Sequence, residues 1–279
     1  MQPIIDCHCH IYPDKIVEKA VESIGKFYNL KMHTDGKLST LLSESDSAGI
    51  THSLIFSVAT KPQQTKAINE FIANEVSLMP HRFTGLGTLH PDSTDIKGDI
   101  DHLIELGLKG VKLHPDIQGI AIDDRRCMKI YEQLEGKLPL LLHTGDKRYQ
   151  YSNPENLIPV LKTFENLTVI GAHFGGYSVW ESASEKLFGY DNLYVDCSSS
   201  LAFMSPKMAK ELIDGFRAEH VLFATDYPMW TIQEEIERFE KINLTKDERR
   251  MIYYQNACKV FGLDEKKILE IYKTQSNKN

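Results

Sequence analysis

Short apolar segments alternate with longer amphipathic segments along the chain. The apolar segments are rich in Val, Ile, Leu and Phe, and most end at Gly, Pro, Asp or Ser, which is typical of buried strands. Between them, segments such as IKGDIDHLIELG and RRCMKIYEQLEG repeat apolar residues at three- and four-residue spacing, which predicts helices. The predicted strands are residues 3–10, 51–58, 83–91, 110–115, 139–145, 167–176, 192–199 and 221–228.

Eight strand–helix pairs in this order predict a (β/α)8 TIM barrel, an α/β fold that typically takes about 250 residues. A doubly wound open sheet is the alternative, but it would place a Gly-rich phosphate loop after the first strand, where this chain has HCHIYPDK. No linker or repeat interrupts the chain, so we expect one domain over residues 1–279. The segment 11–50 is long enough to hold an extra helix, and the tail from about residue 265 is expected to start helical and fray.

The amino-acid composition limits which binding partners are expected. The chain of 279 residues has 39 Asp and Glu against 32 Lys and Arg, a net charge of −7, which argues against nucleic-acid binding. Neither a signal peptide nor an apolar run of roughly 18 residues is visible, so no membrane partner is expected. The five cysteines are scattered, which predicts reduced thiols in a cytoplasmic protein.

Ionisable residues fall at the carboxyl ends of the predicted strands, where barrel enzymes carry their chemistry. These residues are His8, His10, Lys112, His114, His143, His173 and Asp226. Side chains alternate along a strand, so His8 and His10 share one face and cannot be joined by Cys7 and Cys9. The string DCHCH therefore predicts a histidine pair at a metal site rather than a zinc-finger fragment.

Three histidines and one aspartate can hold a divalent ion and leave a position for water, whose pKa then falls from ~15.7 towards ~7. Asp226 can both ligate the ion and accept a proton, and His173 can act as acid or base. Alternatives stay open for the fourth strand. Lys112 either serves the site, extends to solvent or pairs with Asp116, and His114 is either a site residue or a packed strand end.

The loop after the fifth predicted strand, HTGDKRYQYSNPENL, suggests contacts to a small substrate. Lys147, Arg148 and Tyr149 lie just beyond a candidate ligand, as an anionic or aromatic substrate would require. The alternative is a solvated loop that begins a helix. Trp230 either lines the pocket or covers the rim of the barrel.

Four strings in order, DCHCH, LLHTG, GAHFGG and ATDYP, resemble the amidohydrolase superfamily. They are most similar to its amidohydrolase-2 branch, which includes enzymes like aminocarboxymuconate semialdehyde decarboxylase. The string NACKVFGL at 256–263 is similar to the terminal helix motif of that branch. The resemblance spans nearly the whole chain but is not specific for a substrate.

The resemblance implies a ligand set for the ion and a role for the sixth-strand histidine. The implied ligands are His8, His10, His143 and Asp226, with His173 polarising water or substrate. One zinc ion is expected, and manganese or a second ion at Lys112 and His114 are alternatives. The KLHP string departs from TatD-type nucleases, which would have Glu there. Barrels of this branch often pair, so a homodimer is a possible assembly.

Three functions are compatible with these residues. The leading expectation is hydrolysis of an amide, ester or lactone bond in a small, anionic substrate by metal-activated water. The alternative is non-oxidative decarboxylation of an aromatic or unsaturated carboxylic acid on the same ligands. The third hypothesis is a metal- or ligand-binding barrel without turnover.

Overall fold

Parallel strands form a ring in the computed structural model, which describes residues 2–276. The strands are β1 (Ile5–His10), β2 (His52–Phe56), β3 (Phe83–Gly85), β4 (Gly87–Thr88), β5 (Val111–Leu113), β6 (Leu140–Leu142), β7 (Val169–Gly171), β8 (Leu193–Asp196) and β9 (Val221–Leu222). They pair in the orders β1-β2-β3 and β4-β5-β6-β7-β8-β9. Strands β3 and β4 are the two halves of the third barrel strand, because only Leu86 separates them.

Backbone hydrogen bonds close the ring at the two places where the sheets meet. At Leu86 the backbone N–H donates to the Ile55 carbonyl oxygen at 3.0 Å, which keeps the third strand beside the second. Between the first and last strands, the Cys7 N–H donates to Phe223 at 3.0 Å and the His10 N–H donates to Tyr227 at 2.7 Å. Eight strands are thus joined around a closed barrel, which confirms the predicted TIM barrel and rules out the open sheet.

Helices follow the strands and form the outer layer. They are α1 (Val17–Tyr28), α2 (Leu38–Ala48), α3 (Thr65–Leu78), α4 (Ile96–Glu105), α5 (Pro115–Gln118), α6 (Arg125–Leu134), α7 (Leu157–Thr163), α8 (Trp180–Leu187), α9 (Pro206–Phe216), α10 (Ile232–Glu240), α11 (Lys246–Arg250), α12 (Asn256–Phe261) and α13 (Glu265–Ser276). Within residues 2–276, no helix is both long and apolar enough to cross a membrane.

Helix α6 shows how local sequence determines the outer layer. The Asp124 carboxylate accepts the Arg126 N–H and caps the first turn. Cys127, Ile130, Tyr131 and Leu134 then recur at helical spacing and are buried against the barrel. The predicted helix in RRCMKIYEQLEG is therefore confirmed.

The long segment after the first strand contains two helices, α1 and α2, which is one more than a single βα unit needs and confirms the expected extra helix. Helix α1 ends at Tyr28, which lies over the carboxyl end of the barrel, so this insertion takes part in forming the mouth. At the other end of the chain α13 confirms a helical start at residue 265. The predicted fraying of residues 277–279 lies outside the described residues.

A buried glutamate on α10 makes the stability of the fold depend on pH. Glu235 has no exposed surface and bonds to Arg238, while its Oε2 lacks a hydrogen-bond partner among the described residues. Burial raises the pKa of Glu235 from 4.5 to about 8, because desolvation outweighs the attraction of Arg238. The folded state therefore favours the protonated acid, and this contribution is fully present below about pH 4.5 and is lost as the pH rises through about 8.

The Glu235→Gln variant should remove this pH dependence. We expect it to unfold like the wild type at pH 4.5 and to be more stable at pH 8, by roughly 1–3 kcal/mol. Urea unfolding followed by circular dichroism at both pH values measures the difference. Glu237→Gln, at an exposed position of the same helix, is the control, and equal stabilisation by both variants would contradict the prediction.

Candidate metal and substrate site

A cavity at the carboxyl end of the barrel collects side chains from distant parts of the sequence. His8 and His10 come from β1, Lys112 from β5, and Asp226 from the loop after β9. His114, His143 and His173, which follow β5, β6 and β7, line the same cavity. All seven strand-end residues singled out in the sequence therefore reach one place.

Two imidazoles and one carboxylate form the tightest cluster in this cavity. The Nε2 atoms of His8 and His10 lie 3.3 Å apart. The Oδ1 atom of Asp226 is 3.3 Å from Nε2 of His8 and 3.7 Å from Nε2 of His10. Burial lowers the pKa of His10 well below its usual value, so its ring is neutral and its lone pair is free.

This cluster fits a divalent cation. Ligand atoms held at about 2.0–2.2 Å from one ion are themselves separated by roughly 3.0–3.6 Å, close to the spacing of His8, His10 and Asp226. Three lone pairs facing each other repel unless a cation or a proton lies between them. The geometry and the chemistry of the donors therefore both fit a metal ion.

Asp196, at the end of β8, fixes the orientation of His8. Its Oδ2 accepts the Nδ1–H of His8 at 2.9 Å, which leaves the Nε2 lone pair directed at the cluster. Burial alone would raise the pKa of Asp196, but the interaction with His8, with support from His173 and Ser198, holds it well below the usual value. A carboxylate that stays ionised keeps His8 in the tautomer that a metal ligand needs.

Lys112 is completely buried beside the cluster. Its Nζ lies 3.2 Å from Nε2 of His8 and 5.4 Å from the centre of the Phe56 ring. Burial lowers the pKa of Lys112 to about 8, although Asp196 and Asp226 act in the opposite direction. The alternative in which Lys112 extends to solvent is therefore wrong, and its Nζ contacts His8 rather than Asp116.

His143 and His173 form a second group next to the first. The Nδ1 of His173 lies 2.9 Å from the Ser198 carbonyl oxygen, so this nitrogen carries the proton and Nε2 can only accept. His143 Nδ1 is 3.0 Å from that Nε2 and must be its donor. The Nε2 of His143 then keeps a free lone pair, and this buried atom has no hydrogen-bond partner among the described residues.

The structure groups His143 with His114 and Asp116, within 4.8 Å of one another, and not with the His8 cluster. The His114 and His143 rings stack with centres 3.9 Å apart, and Nε2 of His143 is 3.7 Å from Asp116. The role of His143 as a fourth ligand stays a prediction. The free lone pair of its Nε2 is the feature that keeps this role open.

Backbone strain accompanies two of the site residues. His173 and Phe174 have φ angles of 61° and 52°, and Asp226 has a φ of 64°. Non-glycine residues rarely adopt this left-handed region, and such strain concentrates at functional sites. The turns after β7 and β9 are therefore shaped to present His173 and Asp226 to the cavity.

The residues predicted for substrate binding lie outside the cavity lining. Lys147 is exposed, and the Arg148 guanidinium is bonded to the Asp146 carboxylate, with Nη2 to Oδ2 at 2.6 Å. The Tyr149 ring stacks on Phe27, and the buried Trp230 indole N–H donates to Ser199. Contact of these four residues with a substrate stays a prediction, and in this structure Arg148 joins the loop to α1.

Sequence reasoning missed three residues of the site. Asp196 ends a strand in the string YVDCSS and could have been found by the strand-end rule that selected Asp226. Asp116 was considered only as a partner for Lys112. Tyr28 had no signal, because it comes from the insertion and not from a strand end.

The protein is therefore a TIM barrel whose carboxyl end carries two histidines and one aspartate arranged to hold a divalent cation. The chain belongs to the amidohydrolase family Amidohydro_2, whose model matches residues 5–263. The predicted membership of the amidohydrolase-2 branch is confirmed.

Two curated relatives are similar to this chain. A gamma-resorcylate decarboxylase from Polaromonas sp. (strain JS666) is 20% identical over 264 residues, covering 74% of this chain and 78% of the relative. A 2-amino-3-carboxymuconate-6-semialdehyde decarboxylase from Dictyostelium discoideum is 33% identical over 90 residues, covering 29% of this chain and 24% of the relative.

Solved structures share the fold. An uncharacterised TIM-barrel protein from Bordetella bronchiseptica has a TM-score of 0.76 at 21% identity, covering 94% of this chain and 99% of that one. A 5-carboxyvanillate decarboxylase from Sphingomonas paucimobilis has a TM-score of 0.73 at 16% identity, covering 95% and 100%. A dihydroxybenzoic acid decarboxylase from Polaromonas sp. JS666, with bound manganese and 2-nitroresorcinol, has a TM-score of 0.72 at 16% identity, covering 96% and 99%.

These comparisons contradict hydrolysis as the leading expectation. Both curated relatives are decarboxylases, and so are the two functionally named structures. Hydrolysis was the leading expectation because hydrolases are the more numerous enzymes of the superfamily. The same ligands serve either reaction, so the donor set alone cannot select between them.

Removing Asp226 should remove bound metal. We expect wild-type protein expressed with manganese or zinc to contain about one ion per chain, and Asp226→Ala to contain much less, because one of three converging donors is lost. Elemental analysis after desalting measures the content, with the exposed Asp247→Ala as control. A wild type that stays metal-free after loading would disprove the site.

Asp196→Asn tests the orientation of His8. An amide can present its NH2 group to Nδ1 and no longer fixes the tautomer, so metal affinity should fall by about 10–100-fold with the fold intact. Competition with a chromophoric chelator measures the affinity, and circular dichroism checks the fold. Asp191→Asn, at an exposed residue paired with Arg217, should bind metal like the wild type. Unchanged affinity in Asp196→Asn would show that this hydrogen bond is dispensable.

Proposed function

We propose that this protein is a metal-dependent, non-oxidative decarboxylase of an aromatic or unsaturated carboxylic acid. The observation that carries the proposal is the buried Lys112 ammonium group, which lines the cavity beside the His8, His10 and Asp226 cluster. Among the described residues that line this cavity, Lys112 is the sole lysine or arginine. The family relationship to named decarboxylases supports the same reaction.

His8, His10 and Asp226 would hold the ion, with His143 as the predicted fourth ligand. When bound, the divalent ion supplies positive charge that attracts and polarises the substrate carboxylate. Nitrogen and oxygen donors of this kind accept either manganese or zinc. The zinc predicted from the sequence and the manganese of the Polaromonas structure are therefore both to be tested.

Lys112 supplies a second positive charge to the carboxylate. Its Nζ is 3.2 Å from His8 and is fixed by the surrounding strands, so it can donate to a carboxylate oxygen that approaches the cluster. In a site closed to water, such a contact is much stronger than in solution. Lys112 therefore takes the role that the sequence had suggested for Lys147 and Arg148.

The remaining walls suit the carbon skeleton of the substrate. Ile24, Met32, Ile117 and Met229 line the cavity alongside the polar cluster. Apolar walls in the same cavity as two cationic centres favour a flat acid that binds with its carboxylate at the cationic centres. The same wall leaves the neutral carbon dioxide product without a partner to retain it.

Decarboxylation requires one proton and releases one carbon dioxide. The proton bonds to the ring carbon that carries the carboxylate. The bond between that carbon and the carboxylate carbon then breaks, and its electron pair restores the conjugated system. We assign proton transfer to Asp226, whose carboxylate would first take up one proton from water and then pass it to this carbon. Its Oδ1 faces the cavity, and its Oδ2 accepts the Ser199 hydroxyl, 2.5 Å away. Both ring nitrogens of His173 take part in hydrogen bonds, so His173 orients its neighbours. A catalytic role for His173 stays a prediction.

Lys112→Met should abolish most carbon dioxide release. Loss of a fixed charge at a developing or bound anion typically lowers kcat by about 10²–10³-fold. Carbon dioxide release from 2,6-dihydroxybenzoate (gamma-resorcylate) and from 5-carboxyvanillate, by manganese- or zinc-loaded protein, measures the effect. Lys109→Met, at an exposed position before the same strand, is the control. The proposal is contradicted if the metal-loaded wild type decarboxylates none of these acids, or if Lys112→Met is fully active.

A further inference from the structure

Tyr28 brings a polar group into the cavity from outside the barrel strands. It is the last residue of α1, in the insertion between β1 and β2, and it lines the cavity together with Lys112 and His114. Its hydroxyl oxygen lies 2.7 Å from Nε2 of His114. The direction of this hydrogen bond decides what Tyr28 can offer to a ligand.

The backbone fixes that direction. The Ile117 N–H donates to Nδ1 of His114 at 3.3 Å, so Nδ1 carries a lone pair. A neutral imidazole then has its proton on Nε2, and His114 is the donor to the Tyr28 oxygen. The hydroxyl hydrogen of Tyr28 is left over, and the described residues include no acceptor for it.

The position of the Tyr28 ring is fixed by its surroundings. Arg148 donates from Nη1 to the Phe27 carbonyl oxygen at 2.5 Å, and its guanidinium lies 5.4 Å from the centre of the Tyr28 ring. The Tyr177 ring meets Tyr28 edge-on at 5.6 Å. Contacts on several sides hold the hydroxyl at one place, which is what a specificity contact needs.

We infer that Tyr28 is a specificity-determining residue that donates its hydroxyl hydrogen to an acceptor oxygen next to the substrate carboxylate. This inference rests on the proposed function for the placement of the carboxylate at Lys112. His114 is the positioning residue, because its donation to the Tyr28 oxygen forces the Tyr28 hydrogen away from His114. The substrate class selected is a planar acid with a hydroxyl or oxo group on the carbon adjacent to the one that bears the carboxylate.

Selectivity is expected because the Tyr28 hydroxyl is a hydrogen-bond donor without an acceptor among the described residues. Tyr28 is half-buried, so a bound acid displaces water from its hydroxyl. An acid without an adjacent oxygen then leaves the Tyr28 hydrogen unpaired, whereas an acid with that oxygen satisfies it. A site built to pair with a substrate oxygen discriminates strongly against an analogue that lacks it. We therefore expect metal-loaded wild type to bind 2-hydroxybenzoate about ten-fold or more tightly than benzoate.

Isothermal titration calorimetry with these two probes tests the inference. Tyr28→Phe should keep benzoate affinity and lose most of the preference for 2-hydroxybenzoate, since it lacks only the hydroxyl. Tyr190→Phe, in the turn before β8 at the opposite end of the barrel, should keep the preference. Thermal unfolding checks that both variants fold.

Two outcomes overturn the inference: no preference in the wild type, or a preference that survives in Tyr28→Phe. Carbon dioxide release measured on the same preparations separates this inference from the proposed function. If the preference depends on Tyr28 but no acid is decarboxylated, the proposed function fails and the specificity role stands. If carbon dioxide is released without a Tyr28-dependent preference, only the specificity role fails.

Discussion

The hydrogen bonds that close the barrel between its first and last strands are the constraint on which the site depends. They join Cys7 to Phe223 and His10 to Tyr227, and so hold the His8 and His10 side chains against Asp226. Residues from the first and the last strand become neighbours only because the ring closes. An open sheet with the same strands would leave the histidine pair and the aspartate at opposite edges.

The fold and the centre of the site could be predicted from the sequence for a common reason. Buried parallel strands are apolar and end abruptly, so the strand-end positions of His8, His10 and Asp226 were visible as polar residues after apolar runs. Apart from the first, which ends at His10 as predicted, the predicted strands were too long at their carboxyl ends. Asp226 lies four residues beyond β9, in a left-handed turn, because these segments leave the sheet to form the mouth.

The remaining features depend on contacts that no local pattern encodes. The direction of the His143 ring follows from His173 and Ser198, on later strands. Arg148 looked like a substrate ligand because its partner, Asp146, was not recognised as competing for its charge. Lys112 was ambiguous because its complete burial depends on the packing of neighbouring strands. The choice of reaction needed relatives, since the same donors support both chemistries.

The attachment of α1 by Arg148 has a consequence for how such a protein can change over evolutionary time. The residues proposed to hold the cation and the carboxylate come from strand ends, whereas Tyr28 belongs to an insertion that Arg148 and packed aromatic rings hold over the mouth. If Tyr28 has the proposed role, substitutions in α1 would alter which acids are accepted while leaving the donor set and the closed ring untouched. The proposed substrate range and the proposed metal site would then rest on different parts of the chain, which could diverge at different rates.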